Sequence, residues 1–264
     1  METVALKELK PAFRRQGNKY PMRNILIPLI PAEHKRYVEL FSGSGAIFWN
    51  KPKAEENVLN DLDKDVYNQY MLLKRAPLDS SKYPLHLDTV SKIKTYYSKK
   101  PETIAEKLIW YKIKTGNGFS GKPVNHVNEI YKNSNPVNIL KNLADYKRKL
   151  KDVKIEKEDY EKIVDGYDDK DTFFFIDPPY ENTSPYYGYA EDLEFDYERL
   201  GRVLDKIQGK FLMTINDSPR MRKLFKRFHV VAVDVPTVWG HYNGSDMIRK
   251  ELIVTNYRIP KKRT

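Results

Sequence analysis

The strongest constraint on the fold is an apolar run, residues 172–176, that two consecutive prolines bring to an end. The residues of this run are aromatic or β-branched, which predicts a buried strand. Pro178 and Pro179 fix φ and lack N–H donors, so the strand must stop there. With Asp177 before them and Tyr180 after them, they present a carboxylate, backbone carbonyls and a flat ring. This arrangement suits an amino group on a flat ring, although a plain strand-to-loop turn remains an alternative interpretation.

Length and composition narrow the class of protein. The 264 residues suffice for one large domain, or for one domain with an insertion. The chain has no cysteine, which excludes disulfides, thiolate-bound zinc and a cysteine nucleophile. Its 47 Lys and Arg against 36 Asp and Glu give a net charge of +11. That surplus favours a polyanion such as nucleic acid as partner, with simple solubility as the alternative.

The apolar runs are too short to span a bilayer, and the N-terminus does not resemble an export leader. We therefore expect no membrane partner and a soluble, cytoplasmic protein, in a bacterial cell or a virus-infected host.

The first part of the chain alternates between strand and helix patterns. Residues 37–41 predict a strand, and the glycine-containing segment 42–45 predicts a tight turn into a helix. A second short strand, 58–59, ends at Asp61, and Asp63 suits the N-cap of the helix that follows. Residues 74–150 show helical periodicity instead, without a clear strand. We interpret them as a helical insertion in an α/β domain made of residues 1–73 and 151–264.

The alternation resumes after the insertion. A helical pattern ending before Gly209 follows the strand at 172–176, and the apolar segment 210–215 predicts the next strand. Ser218-Pro219 suits the start of another helix. Residues 229–235 and 251–255 predict two strands without a helix between them, which indicates an antiparallel pair at the end of the sheet.

Three of the predicted strands are followed by residues that suit ligand binding. In an open parallel sheet, ligands lie outside the carboxyl ends of the strands. Gly43 permits close backbone approach, and Asp61, 18 positions later, suits hydrogen bonds from ribose hydroxyls. Together with Asp177 they indicate an adenosine-bearing ligand, whereas the lysine and hydroxyl residue of a phosphate loop are missing. A plain turn at Gly43 and a capping or loop acid at Asp61 are the structural alternatives.

Several motifs in the same order resemble DNA adenine-N6 methyltransferases of the Dam type. The resemblance covers most of the chain outside the insertion. It implies a Rossmann-like, S-adenosylmethionine-dependent methyltransferase sheet with an inserted helical target-recognition domain. The motifs are Arg15-Gln16-Gly17-Asn18-Lys19, Phe41-Ser42-Gly43-Ser44-Gly45, Asn60-Asp61, Asp177-Pro178-Pro179-Tyr180, Thr214-Ile215-Asn216-Asp217-Ser218-Pro219, and Gly244-Ser245 running on to Glu251, Thr255, Asn256 and Tyr257.

The resemblance also implies residues that bind S-adenosylmethionine. Lys19 contacts the methionine part, Asp61 holds the ribose, and Asp159-Tyr160 lies near the adenine. Arg15 departs from the family, in which an aromatic residue often packs against the cofactor; a guanidinium plane can also stack. The complete set implied for the cofactor is Arg15, Lys19, Phe41, Ser42, Gly43, Asp61, Asp159, Tyr160 and Asp177.

The resemblance and the chemistry of adenine together predict the catalytic residues Asp177, Pro178, Pro179 and Tyr180. Asp177 and the Pro178 carbonyl accept hydrogen bonds from N6, and Tyr180 stacks on a base flipped out of double-stranded DNA. The missing cysteine excludes cytosine C5 methylation. Methylation of cytosine N4, of RNA adenine or of a protein amide, or a catalytically silent DNA-binding role, remain alternatives.

The sequence gives less information about partners and DNA contacts than about the active site. The sequence leaves open whether a restriction endonuclease acts on the same site, and we expect a monomer or weak dimer. Residues 116–125, 146–149 and 239–243 are candidate DNA contacts. The histidines show no metal-ligand spacing, so we assign no metal.

Overall fold

We describe the protein from a computed structural model. The structure describes residues 8–15, 17–117, 135–181, 195–236 and 248–259. The chain forms two compact units, each built from several segments. Unit 1 comprises residues 1–20, 43–52 and 63–157, and unit 2 comprises residues 21–42, 53–62 and 158–264. Unit 1 thus contains the whole segment 74–150, whose role in target recognition stays a prediction.

The helices and strands alternate before and after a helical stretch. The helices are α1 Arg23–Leu26, α2 Ala46–Asn50, α3 Lys64–Arg75, α4 Val90–Tyr97, α5 Ile104–Asn117, α6 Leu143–Leu150, α7 Tyr160–Tyr167, α8 Tyr197–Leu204 and α9 Pro219–Leu224. The strands are β1 Arg36–Glu39, β2 Glu56–Asn60, β3 Lys154–Glu156, β4 Thr172–Ile176, β5 Lys210–Asn216, β6 His229–Pro236 and β7 Ile248–Thr255. No helix in the described ranges is long and apolar enough to cross a membrane.

The strands form a sheet of order β3-β2-β1-β4-β5-β7-β6. Strands β2, β1, β4 and β5 are parallel to one another, whereas β7 is antiparallel to both β5 and β6. This topology confirms the predicted α/β sheet and the antiparallel pair at its end. Strand β3 was not predicted from the sequence. It has three residues, of which the first is exposed, so it shows no clear alternation of apolar and polar residues.

The core of unit 2 explains why β4 is central. All five of its residues are buried, since β1 and β5 flank it in the sheet. On one face, Phe174 packs in a cluster with Val38, Phe211 and the apolar faces of α7 and α8. A strand of this kind reads as a continuous apolar run rather than as an alternation, as residues 172–176 do.

Unit 1 is mainly helical. Asp63 caps α3 by accepting a hydrogen bond from the Asp65 amide, as predicted. At the other end of α3, Lys147 donates to the carbonyls of Lys74 and Ala76 at 2.6 and 2.7 Å. A lysine at a helix C-terminus satisfies carbonyls that have no partner within the helix and offsets the negative end of the dipole.

Candidate active site

Parallel strands bring the predicted ligand residues of unit 2 to one edge of its sheet. Ser42 follows β1, Asp61 follows β2, and Asp177 follows β4. These three strands are neighbours, with β1 between the other two. The ends of these strands therefore lie close together at the carboxyl edge of the sheet, where open α/β sheets bind ligands.

Asn60 links the strand ends at this edge, a role that was not predicted from the sequence. Its Nδ2 donates to the carbonyls of Leu40 and Glu158, both at 3.0 Å, and its Oδ1 accepts from the Glu158 amide at 2.9 Å. Its own carbonyl accepts from the Ser42 amide at 2.8 Å. One buried amide thus joins the ends of β1 and β2 to the segment before α7. An asparagine at a strand end was the only signal of this role.

An aromatic surface lies beside these strand ends. Phe41, Tyr160 and Phe195 pack together, with ring centroids 5.4 to 5.9 Å apart. Burial raises the pKa of Tyr160 to about 12, so the phenol stays neutral at physiological pH. Among the described residues, the buried Tyr160 hydroxyl has no hydrogen-bond partner. The structure thus brings the predicted residues Phe41 and Tyr160 into contact, with a polar group available beside an apolar face.

The Asp159 carboxylate is already engaged. It caps α7 by accepting from the Glu161 amide at 2.9 Å, and it accepts from Arg199 at 2.7 and 3.0 Å. The same guanidinium binds Glu161 and lies over the Tyr160 ring, 4.9 Å from its centroid. Hydrogen bonds to these acids raise the pKa of Arg199 above its ordinary value. Asp159 therefore orders the aromatic surface through Arg199.

The Asp177 carboxylate is oriented from the neighbouring strand. The hydroxyl of Thr214, on β5, donates to Asp177 Oδ1 at 2.8 Å. Thr214 is completely buried, so this donor is held in place by the sheet. Pro178 and Pro179 are buried as well. The Pro179 carbonyl accepts from the Tyr197 hydroxyl at 3.0 Å, and this bond does not use the Pro178 oxygen that is predicted to bind N6.

Tyr180 is anchored at its hydroxyl end. The phenol donates to Glu251 Oε2 at 2.6 Å, and Glu251 belongs to β7. Burial, followed by the negative charges of Asp177 and Glu251, raises the pKa of Tyr180 well above its ordinary value. The phenol therefore remains a hydrogen-bond donor throughout the physiological pH range.

The residue after the tetrapeptide is clamped too. Asn216 accepts from the Glu181 amide at 3.1 Å and donates to the Glu181 carboxylate at 2.8 Å. Ser218 caps α9 and also donates to Glu181. The segment 216–219, predicted to be chiefly a turn and cap, thus has that role and also fixes the end of the tetrapeptide.

In unit 1, two glycines shape the turn into α2. Gly43 and Gly45 have φ values of +46° and +68°, in the region that favours glycine. A Cβ on Gly45 would lie 2.5 Å from the Tyr70 hydroxyl. A Cβ on Gly43 would meet no atom of the described residues within 4 Å. Gly45 is thus required by packing, whereas a side chain at Gly43 would extend into open space.

The basic residues predicted to bind the cofactor, Lys19 and Arg15, also lie in unit 1. Lys19 is buried, and its ammonium donates to the Gly17 carbonyl at 2.8 Å. Arg15 pairs with Asp63 at 3.0 Å. Its Nε and Nη2 are buried without a hydrogen-bond partner in the described part of the chain. Lys19 is thus a buried cation in this unit, whereas Arg15 is partly buried and paired with an acid.

The candidate DNA-contact residues 146–149 all have partners in the described part of the chain. Lys147 caps α3 as described, and Lys149 donates to the carbonyl of Lys51. Arg148 is exposed and pairs with Asp145 at 2.6 Å. The other candidate loops, 116–125 and 239–243, lie almost entirely outside the described residues.

Comparison with known proteins identifies the family. The model of the D12 class N6 adenine-specific DNA methyltransferases matches residues 16–237. The chain belongs to this family. Members of this family methylate N6 of adenine in DNA. The chain is thus an enzyme that transfers methyl from S-adenosylmethionine to adenine in DNA.

Curated relatives agree with membership of the D12 class. The chain is 26% identical over 232 residues to the type II methyltransferase M.CviBI of Paramecium bursaria Chlorella virus NC1A, covering 82% of this chain and 86% of the relative. It is 25% identical over 264 residues to the type II methyltransferase M.MjaIII of Methanocaldococcus jannaschii, covering 86% and 91%.

Solved structures include similar methyltransferases. The C-terminal domain of precorrin-6Y C5,15-methyltransferase from Rhodobacter capsulatus has a TM-score of 0.45 and 10% identity, covering 98% of this chain and all of that one.

Proposed function

We propose that Asp177, Pro178, Pro179 and Tyr180 form the catalytic clamp for N6 of an adenine flipped out of double-stranded DNA. The observation that carries this proposal is the anchoring of both ends of the tetrapeptide, by Thr214 on Asp177 and by Glu251 on Tyr180. A preorganised acceptor needs no rearrangement when the substrate arrives. Asp177 and the Pro178 carbonyl accept hydrogen bonds from the two N–H groups of the amino group, and the Tyr180 ring stacks on the base.

We also propose which residues bind S-adenosylmethionine. The open space beside Gly43 can admit a ligand, and the Tyr160 hydroxyl offers a buried polar group among aromatic rings. When bound, the cofactor supplies an electrophilic methyl group. In our assignment Asp61 accepts from the ribose hydroxyls, and Phe41 with Tyr160 and Asp159 forms the adenine side. We assign the backbone of Phe41, Ser42 and Gly43 to the cofactor, Lys19 to its methionine part, and Arg15 to stacking against it.

Substitution of Asp177 tests the clamp. We expect Asp177→Ala to abolish methyl transfer, a fall in kcat of about 10³-fold or more, because an amino-group acceptor in the transition state is lost. Asp177→Asn keeps the volume but removes the charge and replaces one acceptor oxygen by an NH₂ donor. Transfer of labelled methyl to unmethylated genomic DNA measures activity, and urea unfolding shows that the variants keep the fold. Full activity of Asp177→Ala would contradict the mechanism.

The proposal also includes a target-recognition region and a restriction endonuclease as partner. We assign target recognition to residues 74–150, supported by their helical content in a family that acts on DNA. We also assign a restriction endonuclease acting on the same site, supported by the type II names of the relatives. Methylation-sensitive sequencing of DNA from a host that expresses the chain identifies the site, and protection of that DNA against the endonuclease tests the pairing. Sedimentation tests our expectation of a monomer or weak dimer.

A further inference from the structure

Glu251 is a buried carboxylate next to the clamp. Its side chain has no exposed surface, and it lies on β7, the strand beside β5. Burying a charge is costly unless other groups compensate for it. Two groups do so here, because the Tyr180 hydroxyl donates to Oε2 at 2.6 Å and the Arg249 guanidinium pairs with Oε1.

The position of Glu251 follows from strand register. In the antiparallel pair β5–β7, Glu251 lies opposite Asn216, which holds Glu181. Thr214, which holds Asp177, is two residues earlier on β5. Three side chains from two adjacent strands therefore hold the first, last and following residues of the Asp177–Tyr180 segment.

Arg249 acts on both partners. It lies two residues before Glu251 on β7, so the two side chains emerge on the same face of the strand. Its Cζ is 5.9 Å from the centroid of the Tyr180 ring. The guanidinium thus binds the Glu251 carboxylate and covers one face of the Tyr180 ring.

We propose that Glu251 is a positioning residue for methyl transfer: it fixes the plane of the Tyr180 ring on which the adenine stacks, and Arg249 binds the other oxygen of the Glu251 carboxylate. The inference rests on the proposed role of Tyr180. A charge-assisted hydrogen bond is stronger and shorter than a neutral one. A carboxylate in this position therefore restricts the ring more than a neutral acceptor would.

Kinetics of a double-mutant cycle test the inference. Glu251→Gln keeps the volume and an acceptor but removes the charge. We expect kcat to fall by about 10-fold with a change in the KM for DNA below about threefold, since the loss concerns the orientation of a bound base. In a Tyr180→Phe background, the same substitution should add less than about twofold, because its partner hydroxyl is already missing. Multiplicative effects of the two substitutions would overturn the inference.

A spectroscopic measurement is independent of catalysis. In protein labelled with ¹³C at tyrosine Cζ, the Tyr180 signal is assigned by its loss in Tyr180→Phe. We expect Glu251→Gln to shift this signal upfield, as a phenol moves from a charged to a neutral acceptor. An unchanged signal would contradict the hydrogen bond itself.

Glu56→Gln is a matched control. Glu56 is also a strand acid paired with an arginine, Arg36, at 2.6 Å, but it lies at the amino end of β2, away from the clamp. It should alter stability without changing kcat or the Tyr180 signal. If Glu251→Gln does not fold, the double change with Arg249→Met removes both charges together and replaces it in the cycle.

The proposed function and this inference fail in different ways. A parent protein that transfers no methyl to adenine would overturn the function. An active parent whose Glu251→Gln variant keeps its kcat would overturn only the positioning role.

Discussion

Single residues of the site differ in how far their hydrogen-bonding groups are already satisfied within the fold. Asp159 is occupied by Arg199 and by the cap of α7, whereas the Tyr160 hydroxyl beside it has no partner among the described residues. Asp177 accepts a hydrogen bond from the Thr214 hydroxyl. At this scale, a residue's environment distinguishes a side chain that orders the site from one that is available to a ligand.

Lys112 shows how burial at one residue becomes a pH dependence. Its ammonium donates to the Ala12 carbonyl at 2.6 Å. Burial, and to a lesser degree the charge of Arg14, lowers the pKa of Lys112 from 10.5 to about 8. Between these values the unfolded chain binds more protons than the folded one, so stability rises with pH in this window.

We expect the folded protein to gain about 2 kcal/mol from Lys112 between pH 7.5 and 9.5, relative to a Lys112→Met variant. The reason is that raising the pH removes a buried charge in the folded state. Urea unfolding of both proteins at the two pH values measures this difference. If parent and variant respond equally to pH, the ammonium is not buried as described.

At the scale of elements, the turn between β1 and α2 contains two glycines that are required for different reasons. Gly45 has positive φ and no room for a Cβ, because Tyr70 and Trp49 pack against it. Gly43 has positive φ with open space beside it. Gly45 therefore serves the packing of α2 and α3, whereas Gly43 is the glycine that we propose lies beside the cofactor.

Alanine substitutions separate these two roles. Gly45→Ala should reduce the free energy of unfolding by about 2 kcal/mol or more, because strain at positive φ adds to a clash. Gly43→Ala should cost about 1 kcal/mol through φ alone, but should weaken S-adenosylhomocysteine binding by about 10-fold through lost space. Urea unfolding and calorimetric titration measure both quantities. Equal losses of affinity in the two variants would contradict this division.

At the scale of the whole molecule, the net charge of +11 is expected to act on DNA binding. We predict a steep salt dependence, with affinity for a DNA duplex falling about 500-fold between 50 and 200 mM salt, as for roughly five phosphate contacts. Fluorescence anisotropy with a labelled duplex measures the slope. A flat response would mean that the surplus charge serves solubility alone.

Local patterns predicted much of the fold. The strand at 172–176, the caps at Asp63 and Ser218 and the antiparallel pair near the C-terminus are all confirmed. Each depends on neighbouring residues, such as an apolar run, a capping side chain or two adjacent strand patterns. The short β3 was missed because it lacks such a pattern.

Long-range partners were beyond local patterns. The Tyr180–Glu251 bond joins residues 71 positions apart, and the Asn60–Glu158 bond joins residues 98 positions apart. Lys147 and Lys149 looked like a solvated or DNA-binding surface, yet both bind main-chain carbonyls. Charge alone did not distinguish these roles, because the acceptors belong to distant segments.

The sequence by itself determined the chemistry of this protein: a strand stopped by Pro178 and Pro179, flanked by an acid and an aromatic ring, and glycine turns in the order of an adenine methyltransferase. Only the tertiary structure decided which side chains hold those groups in place. Chemical type is a property of the residues themselves, whereas orientation depends on strand register and burial, which bring Thr214 and Glu251 from β5 and β7 to the clamp.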